Sequence, residues 1–135
     1  MTRARTLARE LALQCLYQVD LRGSDAPPPF PEDADEESRA YAKLLVDGVR
    51  ERDAELAEAL KVLVEHWAWD RVAAIDRCIL KIGAFEILHA PEVPPKVALD
   101  EAIELAKRYS TQSSGAFVNG ILDRLYQAKG RAASS

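Results

Sequence analysis

The chain has little of what reactive sites are built from. It holds two cysteines and two histidines in 135 residues. Cys15 and Cys78 form no CxxC pair, and neither His66 nor His89 has a neighbour at metal-ligand spacing. Neither a zinc site nor a dithiol redox pair is expected. Both thiols fall in apolar patterns and read as buried free cysteines, and both histidines read as helix-end surface residues. The six glycines are scattered, with no GxGxxG and no phosphate loop. Ser113-Ser114-Gly115 lacks the flanking pattern of a nucleophile elbow. The pairs Glu36-Glu37 and Asp100-Glu101 read as solvated acids at helix starts. No apolar run approaches the roughly 20 residues that cross a bilayer. Met1 to Glu10 lacks the apolar stretch of a signal peptide. These absences predict a cytoplasmic protein that binds rather than catalyses, with no metal and no cofactor.

What is present describes one helical domain. Hydrophobic residues make up 48% and charged residues 30%, ordinary values for a globular chain of this length. The net charge of −4 is unevenly spread. Most of the acid falls between residues 24 and 65, while the N-terminal stretch carries Arg3, Arg5, Arg9 and Arg22 against Glu10 and Asp20. A local basic face is therefore compatible with the acidic sum.

Helical spacing recurs throughout, and β-alternation nowhere. A first helix is predicted from about Arg3 to Leu21, burying Ala8, Leu11, Ala12, Cys15, Leu16 and Val19, with Gly23 as its stop. Pro27, Pro28, Pro29 and Pro31 exclude helix and make 24–34 a stiff loop. The acidic run from Glu32 to Glu37 suits the positive end of a second helix, Glu36 to Arg52, with Tyr41, Leu44, Leu45 and Val49 as its core stripe. A third helix is expected from Asp53 to Trp67. The segment Trp69 to His89 is the most apolar, so its helix belongs at the centre of the fold. A short helix from Asp70 to Ala74 precedes it, and Gly83 marks close approach by a neighbour. Pro91, Pro94 and Pro95 set the next turn. Helices from Lys96 to Tyr109 and from Ala116 to Ala128 follow, with Ser113 and Ser114 as cap candidates between them. The last helix buries Val118, Ile121, Leu122 and Leu125. The fold class is all-α: a compact bundle of six to seven short helices. It divides into helical subdomains of about 1–66 and 67–130, with 131–135 a disordered tail.

Two features point to binding. Arg5 and Arg9 lie one turn apart on the first helix, with Gln14 and Tyr17 further along it. Guanidinium groups beside an aromatic ring suit single-stranded RNA, although arginines flanking an apolar face also simply solvate it. The other feature is Phe117-Val118-Asn119-Gly120, where Asn-Gly interrupts an apolar helical pattern. Either Gly120 permits tight helix packing, or this turn faces a ligand with Phe117 exposed for stacking.

Four blocks then carry a resemblance. The first is Arg5-x-x-Ala8-Arg9-Glu10-x-Ala12-x-Gln14-x-Leu16-Tyr17-x-x-Asp20. The second is Trp69-Asp70-Arg71-Val72 with Asp76-Arg77-x-Ile79-Leu80-Lys81-Ile82-Gly83-x-Phe85-Glu86. The third runs from Pro95 to Lys107, and the fourth is Phe117-Val118-Asn119-Gly120-Ile121-Leu122-Asp123. In this order and spacing the chain resembles the NusB family of bacterial transcription antitermination factors. The resemblance implies two small helical subdomains and binding of boxA-type RNA together with ribosomal protein S-ten, also called NusE. It further implies assembly with NusA, NusG and RNA polymerase, so that ribosomal RNA operons are read through terminators. It places Arg3, Arg5, Arg9, Gln14, Tyr17, Ser113 and Phe117 on the RNA face. It places Asp76, Arg77 and Glu10 toward the protein partner, where acid suits a basic ribosomal protein. The chain departs from the family pattern in a sparser N-terminal arginine cluster and in Asp100, where asparagine is common. A self-associating scaffold without RNA activity, in which a homodimer covers the arginine face, is the alternative. A module linked to a methyltransferase is disfavoured, since no methyl-donor site follows the last helix.

Overall fold

The first helix forms because alanine, leucine, arginine and glutamate dominate its sequence, all good helix formers. α1 spans Arg3–Arg22. Gly23 ends it at φ +63°, and its N–H donates to the Val19 carbonyl at 2.9 Å. Only glycine takes that left-handed conformation without strain, as expected of a helix stop. The computed structural model describes residues 3–23, 27–64 and 68–130, apart from the side chains of residues 129 and 130. His66, the expected helix end at Trp67 and the tail 131–135 lie outside the described residues.

α2 spans Glu36–Glu51 and α3 spans Asp53–Lys61, separated by Arg52. Asp35 caps α2, accepting from the Ser38 N–H at 2.8 Å, and Glu36 and Glu37 fill the first turn. These acids complement the partial positive charge of the helix start. The third helix is shorter than its apolar pattern, giving way to a turn at Val62 and Leu63. Leu44 departs from the expected stripe, standing 47% exposed. The expected helix at Asp70 to Ala74 is a single 3-10 turn, Trp69–Arg71, and α4 begins separately at Ala74.

α4 spans Ala74–His89 and is buried almost all round, including Ile79, Leu80, Ile82 and Phe85. It packs against α1, α2 and α3, and also against α5 (Pro95–Tyr109) and α6 (Ser114–Leu125). Pro95 occupies the first turn of α5, where a missing N–H leaves no bond unmade. A Cβ at Gly83 would stand 2.5 Å from Leu122 Cδ1 of α6, so glycine there permits the close approach inferred from sequence. Val118, Ile121, Leu122 and Leu125 are all buried on that side of α6. Each such side chain contributes roughly 1.5–3 kcal/mol by leaving water. A π-helical turn, Tyr126–Gly130, continues α6. The described residues contain six α-helices and no strand. None of the described helices is long and apolar enough to cross a membrane.

Candidate nucleic-acid interface

The polar residues of α1 divide into two sets pointing opposite ways. At about 100° per residue, Arg5 and Arg9 lie within one sector, whereas Arg3, Glu10 and Gln14 lie on the far side and Tyr17 near it. The Arg5 and Arg9 sector is the one that the rest of the fold covers.

Arg9 is 1% exposed. Its Nε donates to Glu86 Oε1 and Oε2 at 2.9 and 3.1 Å, and its Nη1 donates to Glu101 Oε1 at 3.1 Å. Tyr41 of α2 donates its hydroxyl to Glu86 as well. Burial alone would lower the Arg9 pKa, but the Glu86 hydrogen bond and charge outweigh it and hold the guanidinium above its ordinary value. Burial, then the Glu86 charge, push the Tyr41 phenol well above the usual tyrosine range, so it remains a donor. The Arg5 guanidinium lies 4.3 Å from the centroid of the Tyr41 ring, a cation–π contact. The expectation of Arg9 as an outward RNA contact in a column with Arg5 is therefore corrected. Arg9 ties α1 to α4 and α5, and half-buried Arg5 stacks on α2. Glu101 is corrected likewise: it is no solvated acid but the joint acceptor for Arg9 and for Thr6, whose hydroxyl donates at 2.9 Å.

On the far side Arg3 and Gln14 are exposed and Tyr17 is half-buried against the core. Glu10 is engaged within the chain: Arg108 donates to one carboxylate oxygen and the Tyr109 hydroxyl donates to the other at 3.2 Å. The outer side of α1 is thereby joined to the last turn of α5.

That turn leads into the loop before α6. There Ser110, Thr111, Ser113 and Ser114 share hydroxyl hydrogen bonds between 2.9 and 3.1 Å. Ser113 makes no side-chain cap bond, so its expected capping role is not taken up. Ser114 instead donates to Asp76 Oδ2 at 3.1 Å, coupling α6 to the start of α4. Asp76 is 8% exposed, and its Oδ1 has no hydrogen-bond partner among the described residues. A groove of about 390 Å³ opens here, lined among others by Arg71, Asp76, Thr111, Ser113 and Phe117. Phe117 is half-buried, packing one part on the core while bordering the groove. Asn119 is exposed, and a Cβ at Gly120 would meet nothing within 4 Å. Tight packing therefore does not explain Gly120. Arg77 donates to the Val72 carbonyl and to the Asp70 carbonyl at 3.3 Å, and pairs with Asp20 at 3.5 Å. It holds the 3-10 turn onto α1.

The structure thus brings Glu10, Gln14, Asp76, Ser113 and Phe117 into one band across α1, α5, α4 and α6. It turns Arg5 and Arg9 away from that band. Sequence reasoning missed Arg108, Tyr109 and Tyr41. The available signal was the basic charge in the last turn of α5. Their partners on α1 and α4 stand too far off in sequence to be paired by spacing. Among the described residues no group of histidine, cysteine and carboxylate side chains is placed to hold a metal ion.

The described residues form an all-helical bundle around a central buried helix, with a polar band that carries an orphaned carboxylate. The comparisons with known proteins agree on the family. A model described as the NusB family matches residues 6–127. The chain belongs to the NusB family. It is 47% identical over 133 residues to the transcription antitermination protein NusB of Sorangium cellulosum (strain So ce56), covering 95% of each chain. It is 44% identical to the protein of that name from Anaeromyxobacter dehalogenans (strain 2CP-1 / ATCC BAA-258), covering 93% of this chain and 92% of the relative. Its fold matches T. maritima NusB with a TM-score of 0.86 at 30% identity, over 96% of this chain and 94% of that one. It also matches a chain from a crystal structure of the antitermination factors NusB and NusE in complex with dsRNA. That match has a TM-score of 0.81 at 27% identity, over 95% of this chain and 99% of that one.

Proposed function

We propose that this protein is an RNA-binding transcription antitermination factor, acting by binding rather than catalysis. It takes boxA-type RNA jointly with ribosomal protein S-ten (NusE) and joins NusA, NusG and RNA polymerase to carry transcription through terminators in ribosomal RNA operons. The single observation that carries the reading is the band just described, in which the last turn of α5 links the outer side of α1, through Glu10, to the loop that borders the groove of Asp76, Ser113 and Phe117. Its composition suits the task. Gln14 and Ser113 offer hydrogen bonds to base edges, Tyr17 and Phe117 offer ring faces for stacking, and Arg3 offers a phosphate contact.

The orphaned Asp76 oxygen supports the partner half of the reading. A buried acceptor left without a donor is unfavourable by about 1–3 kcal/mol. An N–H from a basic protein seated in the groove would remove that penalty. The likeness to a NusB that was crystallised with NusE and dsRNA supports the same assembly.

Fluorescence anisotropy tests the reading. A boxA-type single strand, its scrambled control and a duplex are titrated with the chain, with and without the ribosomal protein, at two salt concentrations. Tighter binding of the boxA strand, strengthened by the ribosomal protein and weakened by salt, is the expected result. Equal binding of all three RNAs, or none with the ribosomal protein present, would sink the reading and favour a self-associating scaffold.

A further inference from the structure

With Arg5 and Arg9 turned inward, the exposed arginines left on the described part of α1 are Arg3 in its first turn and Arg22 in its last, with none between them. A surface that binds RNA needs cationic charge at phosphate height, and the stretch of α1 that carries Gln14 and Tyr17 has no exposed arginine or lysine of its own, so a neighbouring element has to add charge beside it. The last turn of α5 supplies it. Arg108 lies next to Tyr109 and two residues before Ser110, where the hydroxyl loop begins. Its pair with Glu10 is lopsided: the Glu10 side chain is 16% exposed and the Arg108 side chain 54%. The carboxylate is fixed from beneath by the Tyr109 hydroxyl. The guanidinium is the outer member of the pair, presented to solvent.

We propose that Arg108 is an RNA phosphate contact of this face, held in position by Glu10 before RNA arrives. The proposal rests on the RNA-binding reading above and names a residue of that same site. The chemistry is a matter of the fork. A guanidinium has five N–H donors in one plane, and Glu10 engages it at Nη1. A phosphate oxygen approaching from solvent takes the outward edge, and the Glu10 pair narrows the set of rotamers that the side chain samples. A fixed cation loses less entropy on binding than a floppy one. Arg108 thereby offsets the sparse arginine content at the start of α1.

The test compares Arg108→Ala, Arg108→Lys and Lys96→Ala in binding a boxA-type strand with the ribosomal protein present, across a salt series. Lys96 is the control, because it is 87% exposed at the other end of the same helix and its loss changes net charge equally. Arg108→Ala is expected to weaken binding by roughly five- to tenfold and to reduce the log–log salt slope by about 0.7, the value of one phosphate contact on a single strand. Arg108→Lys is expected to keep the slope and lose part of the affinity, because charge survives and the fork does not. Lys96→Ala is expected to change affinity less than about twofold. All three variants are expected to remain folded at the assay temperature, checked by thermal unfolding, since Arg108 is the exposed member of its pair and the Tyr109 hydroxyl still donates to Glu10 in its absence. If Arg108→Ala behaves like Lys96→Ala while the unaltered chain still prefers boxA RNA, the proposal fails and the RNA reading stands. If the unaltered chain shows no such preference, both fall together. A loss of affinity with an unchanged salt slope also overturns the proposal, because it removes the phosphate from the account.

Discussion

Arg9 Nε lies 2.9 Å from Glu86 Oε1, and neither side chain is more than 2% exposed. A charge pair so placed is unforgiving of the loss of one member, because the other is left buried and uncompensated. Arg9→Ala is therefore expected to destabilise the chain by about 3–5 kcal/mol in urea unfolding. Any RNA defect in that variant should track the unfolded fraction. A stable Arg9→Ala variant with weakened RNA binding would restore Arg9 to the interface.

Two glycines should respond in opposite ways to alanine. At Gly83 the new Cβ would sit 2.5 Å from Leu122 Cδ1, so Gly83→Ala should destabilise by about 1–3 kcal/mol through overpacking. At Gly120 it would meet nothing within 4 Å on a helical backbone, so Gly120→Ala should stabilise by up to about 1 kcal/mol. Thermal unfolding of both variants distinguishes them. Weaker RNA binding in the more stable Gly120→Ala variant would mark that turn as a ligand-facing surface.

Asp76 carries a built-in conflict between stability and binding. Its Oδ1 is buried with no donor among the described residues, so Asp76→Ala, which removes that unpaired acceptor together with the Ser114 bond, should change the isolated chain's stability by no more than about 1 kcal/mol. Binding of the ribosomal protein, measured by calorimetry, should weaken in the same variant. Lower stability together with unchanged partner affinity would show that Asp76 serves the fold alone.

Burial pushes the Cys78 thiol up to about 12 from an ordinary value of 9.0. The folded chain therefore keeps a proton that the unfolded chain releases above about pH 9. Stability from this group is complete below pH 9 and is lost as pH rises toward 12. In the folded protein at pH 8, a maleimide should leave Cys78 untouched and label it only after denaturation. Rapid labelling under native conditions would mean that α4 opens.

Much of this fold was legible because helical period and punctuation agree. The core of α6 and the end of α1 at Gly23 followed from local rules. The central place of α4 followed from its lack of a polar side. The site was less legible, and α1 shows why. Arg9 looks like a solvated charge in a helical pattern, and only Glu86 and Glu101, on two later helices, make its burial tolerable. Glu10 and Arg108 are likewise joined across most of the chain. Spacing reports which residues share a helix face, but not which face the fold will cover. On a helix packed against both α2 and α4, that choice decided the interface.

The most direct test of the central claim is amide chemical-shift mapping of the nitrogen-labelled chain, titrated with boxA-type RNA and the ribosomal protein. The account predicts perturbations at Gln14, Tyr17, Arg108, Ser113 and Phe117. It predicts quiet signals around Glu55 and His89, which pair at 2.6 Å at the far end of α4. Perturbations gathered at Glu55 and His89, with the band across α1, α5 and α6 unmoved, would contradict it.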